Sequence, residues 1–194
     1  LKNMKSCKQA IADYNPDVVI LIDYPGFNLK IAKYVKTVLR IPVYYYISPK
    51  IWAWKKYRIH SIKRYIDRMF CILPFEKKFY NELDYEIDYV GNPSVDALAL
   101  YREQKQVDTF LNDNSLTERP ILALLAGSRK QEIKKNLPTM IDVASMYEGY
   151  QCVIAGGPGL ELSDYQKCME NRKVPVIFNQ TYALLEHSNA ALVT

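Results

Sequence analysis

A chain of 194 residues is long enough for one large or two small domains. Its 49% hydrophobic and 24% charged residues exclude a disordered or low-complexity polypeptide. No apolar run approaches the roughly 20 residues that a membrane-spanning helix needs, while a net charge of +5 keeps phosphates, anionic membrane surfaces and nucleic acids in view as partners.

The opening residues, "LKNMKSCKQAIADYNPD", show neither an initiating Met nor the apolar centre of a signal peptide, and read as an amphipathic helix already under way. The closing "SNAALVT" stops on an apolar strand with no helix after it, so both ends are expected to be cut from a longer protein. Between them, apolar runs recur at 18–23, 42–48, 68–74, 120–128, 150–158, 174–179 and 190–194. Segments such as "FNLKIAKYVKTVLR" and "QEIKKNLPTMIDVASMY" separate them, with apolar residues at three- and four-residue spacing. Continuous rather than alternating strands predict burial on both faces, and strand–helix repetition predicts mainly parallel sheets covered by helices. The polar stretch "YREQKQVDTFLNDNSLTER" breaks the rhythm. It suggests a division into 1–115 and 116–194, two Rossmann-like halves of an α/β protein, each incomplete in this chain.

In open parallel sheets ligands bind beyond the carboxyl ends of the strands. The residues there are Asp23, Ser48, Pro74, Gly91, Gly127 and Gly156. Asp23 opens "DYPGFN", in which Pro25 and Gly26 turn the chain and Asn28 is placed to help start a helix. Its carboxylate suits either a turn cap or a general base. In "LLAGSRKQEI", Gly127 permits a sharp turn, and Ser128 with Gln131 has capping-box spacing, so the helix is expected to start at Ser128. Free N–H groups at that helix start, with the fork of Arg129, suit a diphosphate, although an ordinary capped helix would look the same. "AGGPGLE" fits no dinucleotide fingerprint and reads as a turn with positive φ angles.

From Lys50 to Arg68, seven basic residues face one acid, a local balance of +6. This stretch is expected to be one helix with a core stripe of Ile51, Trp54, Ile59, Ile62 and Ile66. Its charge suits a membrane surface, a phosphate ligand or a nucleic acid equally. Cys7, Cys71, Cys152 and Cys168 form no CxxC pair, which argues against a zinc site or a disulfide framework and points to a reducing cytosol. With only His60 and His187 present, neither a metal site nor a histidine triad is expected.

Taken in order, "IDYPGFNLKIAKYVK", "YYISPKIWAWKKYRIHSIKRYIDRMFCILPFEKKFY", "VGNPSVDAL" and "LALLAGSRKQEIKKNLP" resemble the lipid A disaccharide synthase family, inverting glycosyltransferases of the GT-B fold. The second segment carries most of the specificity: S-P-x-x-W-A-W, a basic stretch, then L-P-F-E-x-x-F-Y. The resemblance is good from about 17 to 138 and weak elsewhere. It implies an acceptor-side amino-terminal domain and a nucleotide-sugar-binding carboxyl-terminal domain. The implied reaction transfers a diacylated glucosamine from its UDP donor to the 6-hydroxyl of diacylglucosamine 1-phosphate (lipid X), releasing UDP and using no cofactor.

By position, the resemblance gives Asp23 the role of base and Arg129, with Gly127 and Ser128, that of diphosphate binding. Asn28, Ser48, Trp52, Gly91 and Asn92 join the substrate- or nucleotide-binding set. Trp54, Lys55, Lys56 and Arg58 are expected to meet acyl chains or the inner-membrane surface, from a peripheral position on its cytoplasmic face, with Trp52 a further acyl-chain contact. A homodimer is among the expected assemblies and nucleic acid is not a partner. Two departures stand out: Gly26 replaces an Asp found in many relatives, and Asn92 replaces the His of their G-H-P. The family's amino-terminal glycine-rich and later S-G-T-A-T-L-E segments are missing, so the chain alone is expected to be inactive. Rival readings are another UDP-sugar GT-B enzyme or epimerase, and a non-catalytic basic protein that binds membrane or RNA.

Overall fold

Each of the seven apolar runs forms a strand, and every strand pairing is parallel, because each crossover runs through intervening chain that returns to the same end. The computed structural model describes residues 2–104, 109–170 and 172–194. They fall into two units, Leu1–Ala99 and Leu100–Thr194.

The first unit contains α1 (Lys2–Tyr14), β1 (Val19–Ile22), α2 (Pro25–Tyr34), β2 (Val43–Tyr46), α3 (Ile59–Tyr65), β3 (Arg68–Cys71), α4 (Pro74–Asn81) and β4 (Asp88–Tyr89), and α5 (Pro93–Gln104) starts in it. Its sheet order is β1-β2-β3-β4. The two-residue β4 has no apolar run to announce it; Asp88 and Tyr89 pair with Phe70 and Cys71, and Arg68 Nη2 reaches Asp88 Oδ2 at 2.8 Å. One face of the sheet, with Leu21, Val43, Tyr45, Met69 and Cys71, packs on Ile31, Ile62 and Tyr80 of the helices. Full burial of each such aliphatic side chain contributes about 1.5–3 kcal/mol.

The opposite face behaves differently from the expectation of two-sided burial. Ile20 and Ile22 remain 58% and 59% exposed, beside the half-buried Tyr44, Tyr46 and Phe70. Continuous hydrophobicity signals that a strand can be covered on both faces, but here the described helices contribute to one core only.

The basic stretch is also not one helix. Ile51–Trp54 form a turn, Lys55 adopts left-handed backbone (φ 57°), Lys56–Arg58 make a single 3₁₀ turn, α3 runs only to Tyr65, and Arg68 is already on β3. That break takes Trp54 out of the expected stripe. Ile51, Ile59, Ile62 and Ile66 are buried, whereas Trp54 is 58% exposed.

In the second unit, α6 (Phe110–Asp113) precedes β5 (Ile121–Leu125), α7 (Lys130–Ser145), β6 (Gln151–Gly156), α8 (Leu162–Gln166), β7 (Val176–Phe178), α9 (Thr181–His187) and β8 (Ser188–Val193). The order is β7-β6-β5-β8. This sheet is covered on both sides as its sequence predicts: Leu122, Leu124 and Ile154 enter one core, Ile121, Ala123 and Val153 the other. Phe110 belongs to the second of these cores, so the polar stretch that suggested a division at 115 contributes to this unit, and the division lies at 99/100.

Candidate functional site

In the first unit the carboxyl ends of the parallel strands line up as Asp23, then Ile47 and Ser48, then Leu73, then Gly91 and Asn92, across about 14 Å at the usual strand spacing. Three non-glycine residues on this edge have left-handed backbone: Asp23 (φ 45°), Tyr24 (φ 47°) and the β-branched Ile47 (φ 64°). Each costs about 1–2 kcal/mol, and such outliers gather where a chain must present groups to a ligand.

Two side chains hold the Asp23 turn. The Tyr45 hydroxyl donates to the Asp23 carbonyl at 2.5 Å, and the Asn28 amide donates to the same carbonyl at 2.6 Å and to that of Ile22 at 2.9 Å. Burial, with the neighbouring Asp23 charge added, pushes the Tyr45 hydroxyl far above its ordinary range, so it stays a donor. All of these contacts go to the main chain. The Asp23 carboxylate itself is exposed and has no hydrogen bond or ion pair among the described residues, which leaves it available as a base. Asn28, expected to meet substrate, instead spends its amide nitrogen on the turn. Gly26 is exposed, and a Cβ there would meet nothing within 4 Å, so Asp23 is the one carboxylate of this motif by composition and not by crowding.

Ser48 is 3% exposed, and its Oγ is the one buried side-chain polar atom without a hydrogen-bond partner among the described residues. An orphaned buried hydroxyl costs about 1–3 kcal/mol, so its place at the end of β2 supports a ligand-facing role. At the end of β4, Gly91 has φ 88° and Asn92 Oδ1 accepts from Ser94 N at 3.0 Å, starting α5. The Asn92 side chain therefore caps this helix.

The S-P-x-x-W-A-W turn is anchored by a residue that the sequence reading left without a role. Glu76, 1% exposed, accepts from Trp52 Nε1 at 3.1 Å and from Leu73 N at 3.2 Å. The Pro74–Glu76 spacing, proline at the first helical position and an acid at the third, was the available signal. Trp52 also stands edge-on to Phe75 at 5.1 Å between ring centroids, so it serves packing as well as exposure. Trp54 projects with Lys55 Nζ 4.2 Å and the Arg58 guanidinium 5.5 Å from its ring centroid. Lys50, Lys55, Lys56, Trp54, Tyr57 and Phe75 are all exposed in this region, an apolar and cationic patch.

In the second unit the carboxyl ends of β5 and β6, with Thr181 and Val193, border a cavity of about 300 Å³, small but within the range of ligand sites. Gly127 (φ 110°) makes the turn after β5. After β6 the glycines act by size: a Cβ on Gly157 would lie 3.1 Å from Ser128 Cα, and one on Gly156 would run into the Phe178 ring. Only Gly159 in this turn has the expected positive φ. The buried Tyr165 hydroxyl accepts from Gly157 N at 2.7 Å and steadies it.

The helix start differs from the expected one. α7 begins at Lys130 with Arg129 as its cap residue, and the capping side chain is Glu132, not Ser128 or Gln131. Glu132 Oε2 accepts from Ser128 N at 2.9 Å and Arg129 N at 3.1 Å, while Oε1 lies 3.2 Å from Arg129 Nη1. Those two N–H groups are therefore occupied. Both cations of this turn are exposed, Arg129 at 81% and Lys130 at 71%; Lys130 is paired across to Asp164 at 2.9 Å, whereas Arg129 pairs with Glu132 of its own helix. A larger cavity, about 670 Å³, lies at the amino-terminal end of β7, where Arg172 already pairs with Asp142 and Glu170; nothing there matches the strand-end turns. Among the described residues no group of three or more His, Cys, Asp or Glu is placed to hold a metal ion.

The family model described as lipid-A-disaccharide synthetase matches residues 1–193. The chain is 43% identical over 145 residues to lipid-A-disaccharide synthase 1 of Legionella pneumophila strain Paris, covering 75% of this chain and 37% of that protein. It is 38% identical over 205 residues to lipid-A-disaccharide synthase of Myxococcus xanthus, covering 100% and 51%. It thus spans between about a third and a half of the length of these relatives. Among solved structures, a Neisseria meningitidis UDP-GlcNAc 2-epimerase bound to UDP-GlcNAc superposes with a TM-score of 0.66 at 16% identity, over 98% of this chain and 57% of that one. At that identity the likeness shows the two-sheet α/β fold.

Proposed function

This chain belongs to the lipid-A-disaccharide synthetase family, and from that premise we propose that the protein carrying it joins a UDP-diacylglucosamine donor to lipid X, forming the lipid A disaccharide precursor and releasing UDP. In this reading the acceptor 6-hydroxyl oxygen attacks the donor anomeric carbon and Asp23 takes the hydroxyl proton. The bond from that carbon to the diphosphate oxygen breaks, and Arg129 neutralises the charge that leaves with UDP. The observation that carries the reading is the pair of strand-end turns: an unpartnered exposed carboxylate at Asp23 in the first unit and an exposed guanidinium beside the Gly127 turn in the second. The test is UDP release by the full-length protein given a diacylated UDP-glucosamine donor and lipid X. Turnover only with an unacylated UDP-sugar would move the protein to another sugar-nucleotide reaction. The epimerase alternative has fold likeness alone behind it, whereas the curated relatives are disaccharide synthases.

Acylated substrates reside in a membrane, and no described helix is long and apolar enough to cross one. The patch of Trp54, Lys55, Lys56 and Arg58 supports peripheral attachment to the cytoplasmic face of the inner membrane, with the ring among acyl chains and the cations at anionic head groups. At about 1 kcal/mol for each basic residue near the surface, the double substitution Lys55→Ala with Lys56→Ala is expected to weaken binding to phosphatidylglycerol vesicles by about thirtyfold. Sedimentation with vesicles measures this; equal sedimentation of both proteins would remove the patch from membrane contact.

A further inference from the structure

We propose that Glu132 is a positioning residue for the nucleotide diphosphate, acting through Arg129; the proposal rests on the UDP-binding role given above to the Gly127–Arg129 turn. An arginine that neutralises a leaving diphosphate must hold its fork in place, yet its side chain carries about 2 kcal/mol of rotamer entropy when free. Arg129 is 81% exposed. What holds it is one carboxylate. Glu132 Oε2 grips the backbone N–H groups of Ser128 and Arg129, and Oε1 meets Nη1 of the same arginine.

The arrangement leaves donors over. A guanidinium has five N–H groups, and the contact with Glu132 engages Nη1 alone, so Nε and Nη2 keep an edge free for two phosphate oxygens. Gly127 is part of the device: a Cβ there would lie 2.6 Å from Glu132 Oε2 and 2.7 Å from Glu132 Cβ. A side chain at 127 would push the carboxylate off the turn. The neighbouring cation, Lys130, points to another partner, Asp164 of α8.

A capping acid with no further role would stabilise α7 and nothing else, and a double-mutant cycle separates the two cases. UDP affinity of the full-length protein is measured by ligand-observed titration to millimolar UDP for wild type, Glu132→Gln, Arg129→Gln and the double variant, with thermal midpoints alongside. The expected result is a loss of about tenfold for Glu132→Gln when Arg129 is present, inside the range of couplings between groups in one network, and of less than about twofold when it is not. An equal loss in both backgrounds, with a lowered midpoint, would reduce Glu132 to a helix cap and overturn the proposal. Tighter or unchanged UDP binding by Glu132→Gln would overturn it as well, the former by making the carboxylate a competitor of the diphosphate. Absence of UDP binding by wild type would instead sink the nucleotide-binding reading beneath it.

Discussion

Replacing Asp23 with asparagine is expected to lower kcat by about a hundredfold or more, the lower end of what a positioned general base contributes, while UDP affinity and the thermal midpoint stay near wild type. Asparagine is the right probe because position 23 has φ 45°, which Asn tolerates better than Ala. The groups that secure the turn, Tyr45 and Asn28, bind the main-chain carbonyl and not the carboxylate, so they survive the change. The substitution therefore removes the base and little else. Steady-state UDP release with saturating donor and lipid X measures it. Wild-type turnover by Asp23→Asn would place the base elsewhere in the protein, and Gly26 means that no second carboxylate in this motif could have taken over.

Arg129→Ala is expected to reduce kcat/KM by about a hundred- to a thousandfold, as removal of a group aimed at developing charge does. Lys130→Ala serves as the internal comparison. Both are exposed cations on the same turn, but Lys130 is engaged by Asp164 across to α8. Its loss is expected to change kcat/KM by only a few-fold. If the two variants lose activity equally, general positive charge at the turn matters and the guanidinium fork does not. Parallel titration with UDP then tells whether the lost energy belonged to binding or to the chemical step.

The strands, their parallel pairing and the strand-end turns were legible in the sequence because they depend on local properties. A run such as "VVILID" or "PILALL" is too short for a buried helix and reads as a strand, and a glycine or proline just beyond it favours a turn. The family was legible for a similar reason: S-P-x-x-W-A-W and L-P-F-E are short and contiguous, and each maps onto one local device, the Trp52 turn and the Glu76 cap that anchors it.

What composition and periodicity could not settle was partnership at a distance. Ser128 and Gln131 had the right spacing for a capping box, yet Glu132 won, because the missing side chain at Gly127 leaves room for its carboxylate to fold back over the turn and meet two N–H groups and a guanidinium at once. The run of cations from Lys50 to Arg68 looked like one amphipathic helix. The left-handed Lys55 divides it, leaving Ile51 in the core and Trp54 in solvent. The exposed face of β1 reads no differently in sequence from a covered one, since a side chain's hydrophobicity records that it can be buried and not what stands over it. Sequence alone determined seven of the strands and the chemistry available at their ends; the tertiary structure decided which of those groups are already spent on one another, because hydrogen bonds and ion pairs are won by proximity in space among residues whose spacing in the chain allows several partners.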